Sequence, residues 1–146
     1  MMNISVILYA TLAAIYDIKS RQIPNVLVLC MIGTWILIIS TVLFIDVNQA
    51  VFTLIDSGFG FILGGGIFIL VYFVSHRGLG GGDVKFVAAA GLYLGLGSTV
   101  ASIFLGTLLA AITGLVLILF KKITRKDKMP LAPFLLVGIV LTIFLT

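Results

Sequence analysis

The sequence predicts an all-α membrane protein with six transmembrane helices, and its composition and its apolar segments support this fold class. Of the 146 residues, 62% are apolar and only 10% are charged, whereas about a quarter of an ordinary soluble chain is charged. In lipid, only helices and closed barrels satisfy every backbone polar group. Segments 26–45 and 100–120 lack the alternation of polar and apolar residues that a membrane barrel needs. We therefore expect helices.

Charged residues and glycines divide the chain into six apolar segments, which we assign to one membrane domain, residues 1–146. A spanning helix needs about 20 residues, so the second, third and fifth segments fit well and the first and fourth are short. The first segment lacks a preceding basic stretch and is expected to remain as a helix rather than to be removed as a signal peptide. The segments run from Asn3 to Tyr16, Val26 to Ile45, Ser57 to Val74, Val84 to Leu96, Thr99 to Phe120 and Leu131 to Leu145.

All nine basic residues fall in the first, third and fifth connections between these segments. Positive charge accumulates on the cytoplasmic side of a membrane. We therefore expect a multi-pass protein of the plasma or inner membrane, with both termini outside. The second connection, bracketed by Asp46 and Asp56, is predicted to be an outer loop. The basic residues are Lys19, Arg21, Arg77, Lys85, Lys121, Lys122, Arg125, Lys126 and Lys128.

The inventory of reactive side chains excludes several kinds of site. Cys30 is the single cysteine, so an internal disulfide and a cysteine-ligated zinc are excluded, and we expect it to be a small core residue. His76 is the single histidine, and neither a His-Glu-x-x-His nor a Gly-x-Ser-x-Gly string is present. We expect no metal and no cofactor. The positive-inside rule explains the basic residues, so nucleic acid is not an expected partner. Membrane lipid is an expected partner.

Asp17 and Asp83 are predicted to lie at membrane depth, where an ionisable group is costly and indicates function. The apolar part of the first segment has about 14 residues, which gives about 21 Å of helix. The helix must therefore continue through Asp17 to cross a hydrocarbon core of about 30 Å. Each acid also has a simpler explanation. Asp17 would be an interfacial acid paired with Lys19 or Arg21, and Asp83 would be a helix N-cap.

Glycines at positions 78, 80, 81 and 82 favour the functional interpretation of Asp83. Glycine permits a close approach of a second chain segment, which a plain N-cap does not require. Two neighbouring carboxyl groups share one proton near neutrality. The charged member then takes a proton from water while the protonated member polarises a peptide carbonyl. The pattern indicates an aspartic protease and does not assign the acid and the base.

The residues around both acids resemble those of the type IV prepilin peptidases. The stretch from Tyr16 to Asn25 resembles the family's first-aspartate segment, and 78–86 resembles its GxGD motif with the lysine that follows. Segment 129–134 is similar to the proline-bracketed start of its last helix. The resemblance implies that Asp17 and Asp83 are catalytic. It implies supporting or substrate-binding roles for Pro24, Asn25, Gly80, Gly82 and Lys85, although Lys85 and Arg77 are also explained as positive flanks.

The resemblance further implies an endopeptidase that removes the short basic leader from pilin-like precursors, after a glycine at the cytoplasmic edge of their apolar helix. Methylation of the product is not expected, because the chain begins at the first catalytic span and lacks the paired cysteines of bifunctional members. Two alternatives stay open. A presenilin-type intramembrane protease shares the Tyr-Asp pair and GxGD but has a Pro-Ala-Leu motif where this chain has Pro130-Leu131. A small transporter uses intramembrane acids, usually near the midplane.

Overall fold

The computed structural model describes residues 2–74, 80–120 and 130–145, and within these ranges the chain forms helices and no strand. The predicted all-α fold is confirmed. Four of the described helices are long and apolar enough to cross a membrane, and the last is shorter. His76, Arg77, Gly78 and the basic connection 121–128 lie outside the described residues. The helices are α1 (Met2–Ser20), α2 (Asn25–Ile45), α3 (Val47–Val74), α4 (Gly81–Leu119) and α5 (Ala132–Leu145).

Helix α1 continues through Asp17, as its length requires, and ends at Ser20. Arg21 follows with a φ of 53°, and its N–H donates to the carbonyl oxygen of Asp17 at 2.9 Å. This left-handed residue closes the helix in the way that glycine usually does. The chain then turns within three residues and begins α2 at Asn25, with Pro24 as the N-cap. The short turn keeps the start of α2 beside the end of α1.

The predicted outer loop between Asp46 and Asp56 is wrong, because α3 already begins at Val47. The Asp46 carboxylate accepts the backbone N–H groups of Asn48 at 2.9 Å and Gln49 at 3.2 Å. These are free donors at the start of a helix, and aspartate is a favoured cap for them. The cap starts α3 well before the apolar segment begins. Asp56 therefore lies within α3 rather than in a loop.

Helix α4 is broken at Gly95, where φ is 71° and ψ is −176°. Only glycine adopts this conformation readily. A continuous helix of 39 residues would be about 58 Å long, far more than a bilayer core. A β-carbon built on Gly64 would lie 3.1 Å from both the Val87 carbonyl oxygen and Thr99 Cγ2. The two halves therefore lie side by side and the chain reverses at Gly95, just before the predicted connection at 97–98.

Asp56 stabilises this reversal from α3. Its Oδ1 atom accepts the N–H of Leu96 at 3.0 Å. The carboxylate lies so close to Gly95 that a β-carbon there would overlap it. On the other side of the break, the Thr99 hydroxyl donates to the carbonyl oxygen of Gly95 at 2.5 Å. The backbone groups on both sides of Gly95 thus have partners, as a break inside a membrane protein requires.

Small residues bring α3 and α4 together at backbone distance. A β-carbon on Gly60 would overlap the carbonyl oxygen of Gly91, and one on Gly91 would overlap that of Gly60. A β-carbon on Gly65 would lie 3.1 Å from Cβ of Ala88. Close contact through small residues is the usual way in which membrane helices associate. Gly66 differs, because nothing lies within 4 Å of its β-carbon position.

Helix α2 is joined to α4 by a polar contact. The Tyr93 hydroxyl donates to the carbonyl oxygen of Met31 at 2.5 Å and lies 2.5 Å from Thr34 Oγ1. An interhelical bond of this kind contributes about 1 kcal/mol in a membrane protein. Cys30, on the same helix, is exposed. The prediction that it is a core residue is wrong, because α2 buries the neighbouring Met31 instead.

Candidate active site

Asp17 and Asp83 line one cavity, which we call the aspartate cavity, at the end of α1 and the start of α4. Its volume is about 350 Å³. Asp17 is 5% exposed and Asp83 is half-buried. Both carboxyl groups line this cavity, so the fold brings together the two acids that the sequence singled out. The lining residues are Asp17, Arg21, Gln22, Ile23, Asn25, Gly80, Gly81, Gly82 and Asp83.

Helix α5 positions Asp17. The first amide of α5, that of Ala132, donates to Asp17 Oδ2 at 2.9 Å. The start of a helix presents free N–H groups and a partial positive charge, and both favour a carboxylate at this point. The partner of this buried acid is therefore a backbone amide rather than the flanking Lys19 or Arg21. The proline-bracketed segment contains this amide and therefore helps to position Asp17.

The glycine loop, residues 80–82, positions Asp83. Gly80 is the N-cap of α4, and Asp83 lies in the first turn with its N–H donating to the Gly80 carbonyl oxygen at 3.1 Å. Asp83 is thus not the N-cap. A β-carbon on Gly82 would lie 3.2 Å from the backbone N and O of Ile23. This is the close approach of a second chain segment that the glycines predict, and it sets the turn bearing Asp83 against the link that follows Asp17.

The other predicted site residues have different positions. Asn25 lines the aspartate cavity, and its Oδ1 accepts a hydrogen bond from Lys85 Nζ at 3.1 Å. Lys85 lines a second cavity of about 700 Å³ between α2, α3 and α4. Pro24 lines neither cavity. Its carbonyl oxygen accepts the N–H of Leu27 at 3.1 Å at the start of α2, so its contact is with the backbone of that helix.

Sequence reasoning did not assign the cavity-lining positions of Arg21 and Gln22 or the amide of Ala132. The sequence explained Arg21 as a positive flank or as an ion-pair partner of Asp17, and its positive φ and its place in the lining distinguish it from an ordinary flanking residue. Residue types do not show which backbone N–H will donate to a buried carboxylate, although the prolines at 130 and 133 bracket Ala132. Within the described ranges, no three His, Cys, Asp or Glu side chains come together as a metal site would require.

Replacing Arg21 by glycine is expected to raise the free energy of unfolding by up to about 1 kcal/mol, because glycine adopts the left-handed conformation without steric cost. The measurement is the melting temperature in detergent. Gln22→Gly is the matched control, since Gln22 is adjacent, lines the same cavity and has no positive φ. Glycine there should lower the melting temperature through its greater loss of backbone entropy. A melting temperature of Arg21→Gly below that of the wild type would contradict the assignment of strain to Arg21.

The chain is similar to known proteins in two comparisons. The chain is 32% identical over 91 residues to the prepilin leader peptidase/N-methyltransferase of Bacillus subtilis (strain 168), an alignment that covers 60% of this chain and 37% of that relative. No solved structure matches the chain. The sequence model of the type IV leader peptidase family matches residues 4–119, a range that contains both aspartates and the glycine loop. On that match, the chain belongs to the type IV leader peptidase family.

Proposed function

We propose that this chain is a membrane aspartic endopeptidase that removes the short basic leader from pilin-like precursors. The observation that carries the proposal is the shared cavity of Asp17 and Asp83. Membership of the type IV leader peptidase family and the printed name of the Bacillus subtilis relative support the substrate class. They favour this function over the presenilin-type protease and the transporter. Among the described residues, no contact specifically supports either alternative.

The aspartate cavity suits hydrolysis by a shared proton. The ionised aspartate takes a proton from water, and the water oxygen forms a bond to the peptide carbonyl carbon. The protonated aspartate donates a hydrogen bond to the carbonyl oxygen as negative charge develops there. When the carbon–nitrogen bond breaks, a carboxyl proton passes to the leaving nitrogen, and the pair again holds one proton. The Ala132 amide and the glycine loop hold the two carboxyl groups in place for these steps.

We assign the aspartate cavity to the cytoplasmic surface and infer six spans, namely α1, α2, α3, the two halves of α4 and α5. Lys19, Arg21 and Lys85 lie near this end of the helices, whereas Asp46 and the reversal at Gly95 lie at the other. The positive-inside rule then orients the chain. The halves of α4 would be about 21 Å and about 36 Å long. A precursor held in the same membrane would present the start of its apolar helix at the depth of the aspartates.

The direct test uses the purified full chain in liposomes with a precursor composed of a basic leader, a glycine and an apolar helix. We expect one cut, after the glycine, with both products identified by mass. A proton-flux measurement on the same liposomes tests the transport alternative and is expected to show no flux. An intact precursor after prolonged incubation would contradict the proposed function, and a flux without cleavage would favour a transporter.

Replacing Gly82 by alanine is expected to slow cleavage of this precursor by about tenfold to a hundredfold, because a small displacement of a catalytic group is costly. The new β-carbon would lie 3.2 Å from the backbone N and O of Ile23, so the turn that carries Asp83 must shift. Gly81→Ala is the matched control, since nothing lies within 4 Å of that position. Equal rates for the two variants, measured as kcat and KM, would show that the contact with Ile23 does not position Asp83.

A further inference from the structure

The second cavity, which we call the apolar groove, opens between α2, α3 and α4. Its volume is about 700 Å³. Asn25 and Lys85 are its polar lining residues and are joined by a hydrogen bond of 3.1 Å. The rest of the lining consists of apolar side chains and two glycines. Asn25 also lines the aspartate cavity. The two cavities therefore lie beside each other, with Asn25 as a shared wall residue.

The apolar groove runs from Asn25, beside the aspartate cavity, toward the membrane interior. Along α2 it extends from Asn25 to Ile32, and along α3 it extends from Phe61 to Ile69, which is about 10 to 12 Å of helix in each case. Helix α2 begins and α3 ends on the aspartate side of the protein, so Ile32 and Phe61 lie deeper than Asn25 and Ile69. The groove is long enough for about two turns of a helix laid along it.

Gly66 leaves one position on the groove lining open. Nothing lies within 4 Å of its β-carbon position, whereas Gly64 and Gly65, the preceding glycines, contact α4. A glycine in a helix interior costs about 0.5–1 kcal/mol relative to alanine, and no contact within the described chain offsets that cost at Gly66. Small residues allow a second membrane helix to approach closely. The open position therefore favours a helix as the occupant.

We propose that the apolar groove binds the apolar helix of the precursor over the turns that follow the scissile bond. This inference rests on the proposed function and adds the surface by which the substrate is selected. Asn25 lines both the groove and the aspartate cavity, so a helix lying in the groove would have its preceding residues beside Asp17 and Asp83. The amide oxygen of Asn25 is an acceptor for the free N–H groups at the start of that helix. The apolar side chains that line the groove match the apolar residues of the precursor helix.

Filling the groove tests the proposal by activity. Gly66→Leu adds a side chain to the groove lining, at a position where nothing lies within 4 Å of the β-carbon, and it is expected to slow cleavage of the full precursor by about tenfold or more. Gly33→Leu is the matched control, equally open but outside the groove, and should cleave normally. A soluble peptide that carries only the leader and the scissile bond should be cleaved normally by both variants. A slower rate with both substrates, or with neither, would overturn the proposal.

Cross-linking tests the groove without cleavage. Leu29 lines the groove and Leu37 does not, although both lie on α2 and are 66% and 68% exposed. Leu29→Cys and Leu37→Cys are each combined with Cys30→Ala and Asp83→Asn in the full chain in liposomes. A precursor with one cysteine in the first turns of its apolar helix should form a disulfide with the first variant and not with the second.

The outcomes of the two tests are distinguishable. Equal cross-linking at both positions, or a groove occupied by lipid alone with no link to the precursor, would overturn the groove proposal. If the wild-type chain still cleaves the precursor in that case, the proposed function stands. A link confined to Leu29→Cys, in a protein whose wild type cleaves nothing, would support the groove as a helix-binding surface and overturn the proposed function.

Discussion

Replacing Asp17 or Asp83 by asparagine is expected to lower the cleavage rate by about a thousandfold, because proton transfer by a positioned side chain contributes an effect of this order. Asparagine has the shape of aspartate but cannot take or give the shared proton. At position 17 its side-chain oxygen still accepts the N–H of Ala132, which lies 2.9 Å from Asp17 Oδ2. The folded structure should therefore survive. The measurement is single-turnover cleavage of the precursor beside the melting temperature in the same detergent.

Two further variants separate chemistry from structure. Asp17→Ala leaves the buried Ala132 amide without a partner and should lower the free energy of unfolding by about 1–3 kcal/mol in addition to losing activity. Asp46→Asn makes the same chemical change at the other end of the helices, where the side chain caps α3. Asparagine and aspartate are equally good N-cap residues, so this variant should fold and cleave normally. Cleavage that survives at either Asp17→Asn or Asp83→Asn would defeat the shared-proton mechanism.

Replacing Gly95 by alanine is expected to lower the free energy of unfolding by more than about 3 kcal/mol, because backbone strain and overpacking act together at this position. The backbone there has a φ of 71°, and a β-carbon would overlap the Asp56 carboxylate. Relief requires moving Asp56 away from the N–H of Leu96, its partner at 3.0 Å. The yield of monodisperse protein in detergent and its melting temperature measure the effect.

Gly97→Ala is the matched control for Gly95→Ala. Gly97 lies two residues further along α4, has no positive φ, and nothing lies within 4 Å of its β-carbon position. Alanine there should leave the protein as stable or raise its free energy of unfolding by about 0.5–1 kcal/mol. If the two variants have the same melting temperature, then α4 does not depend on glycine at the reversal.

The sequence was sufficient to predict the all-α fold, because that fold follows from the cost of placing polar backbone groups in lipid. The cost of an ionisable group in lipid singled out Asp17 and Asp83, which line one cavity. The length of the first apolar segment required α1 to continue through Asp17, and it does. The glycines before Asp83 predicted a close backbone approach, which Gly82 makes with Ile23. Hydropathy located the ends of α2 and α5 within one residue of the predicted segments.

The remaining features depend on contacts between distant residues, which hydropathy does not encode. Asp46 extends α3 through a local cap, although the residues that follow it read as a loop by hydropathy. The reversal of α4 lies at Gly95 rather than at 97–98 because Asp56, some 40 residues earlier, supplies the acceptor for Leu96. The apolar groove is lined by residues of three helices, and Gly66 alone of three consecutive glycines has nothing within 4 Å of its β-carbon position.

The hydrogen bond between Ala132 and Asp17 means that the site is complete only after α5 has been synthesised. Both acids leave the ribosome well before α5, whose first amide is the donor that Asp17 requires. A nascent chain that has inserted only α1 to α4 holds the two carboxyl groups but not the group that orients the buried one. The hydrogen bond to Asp17 forms only after the last helix packs beside the first. If Asp17 and Asp83 act as proposed, an unfinished protein has no assembled centre with which to cut its neighbours in the membrane.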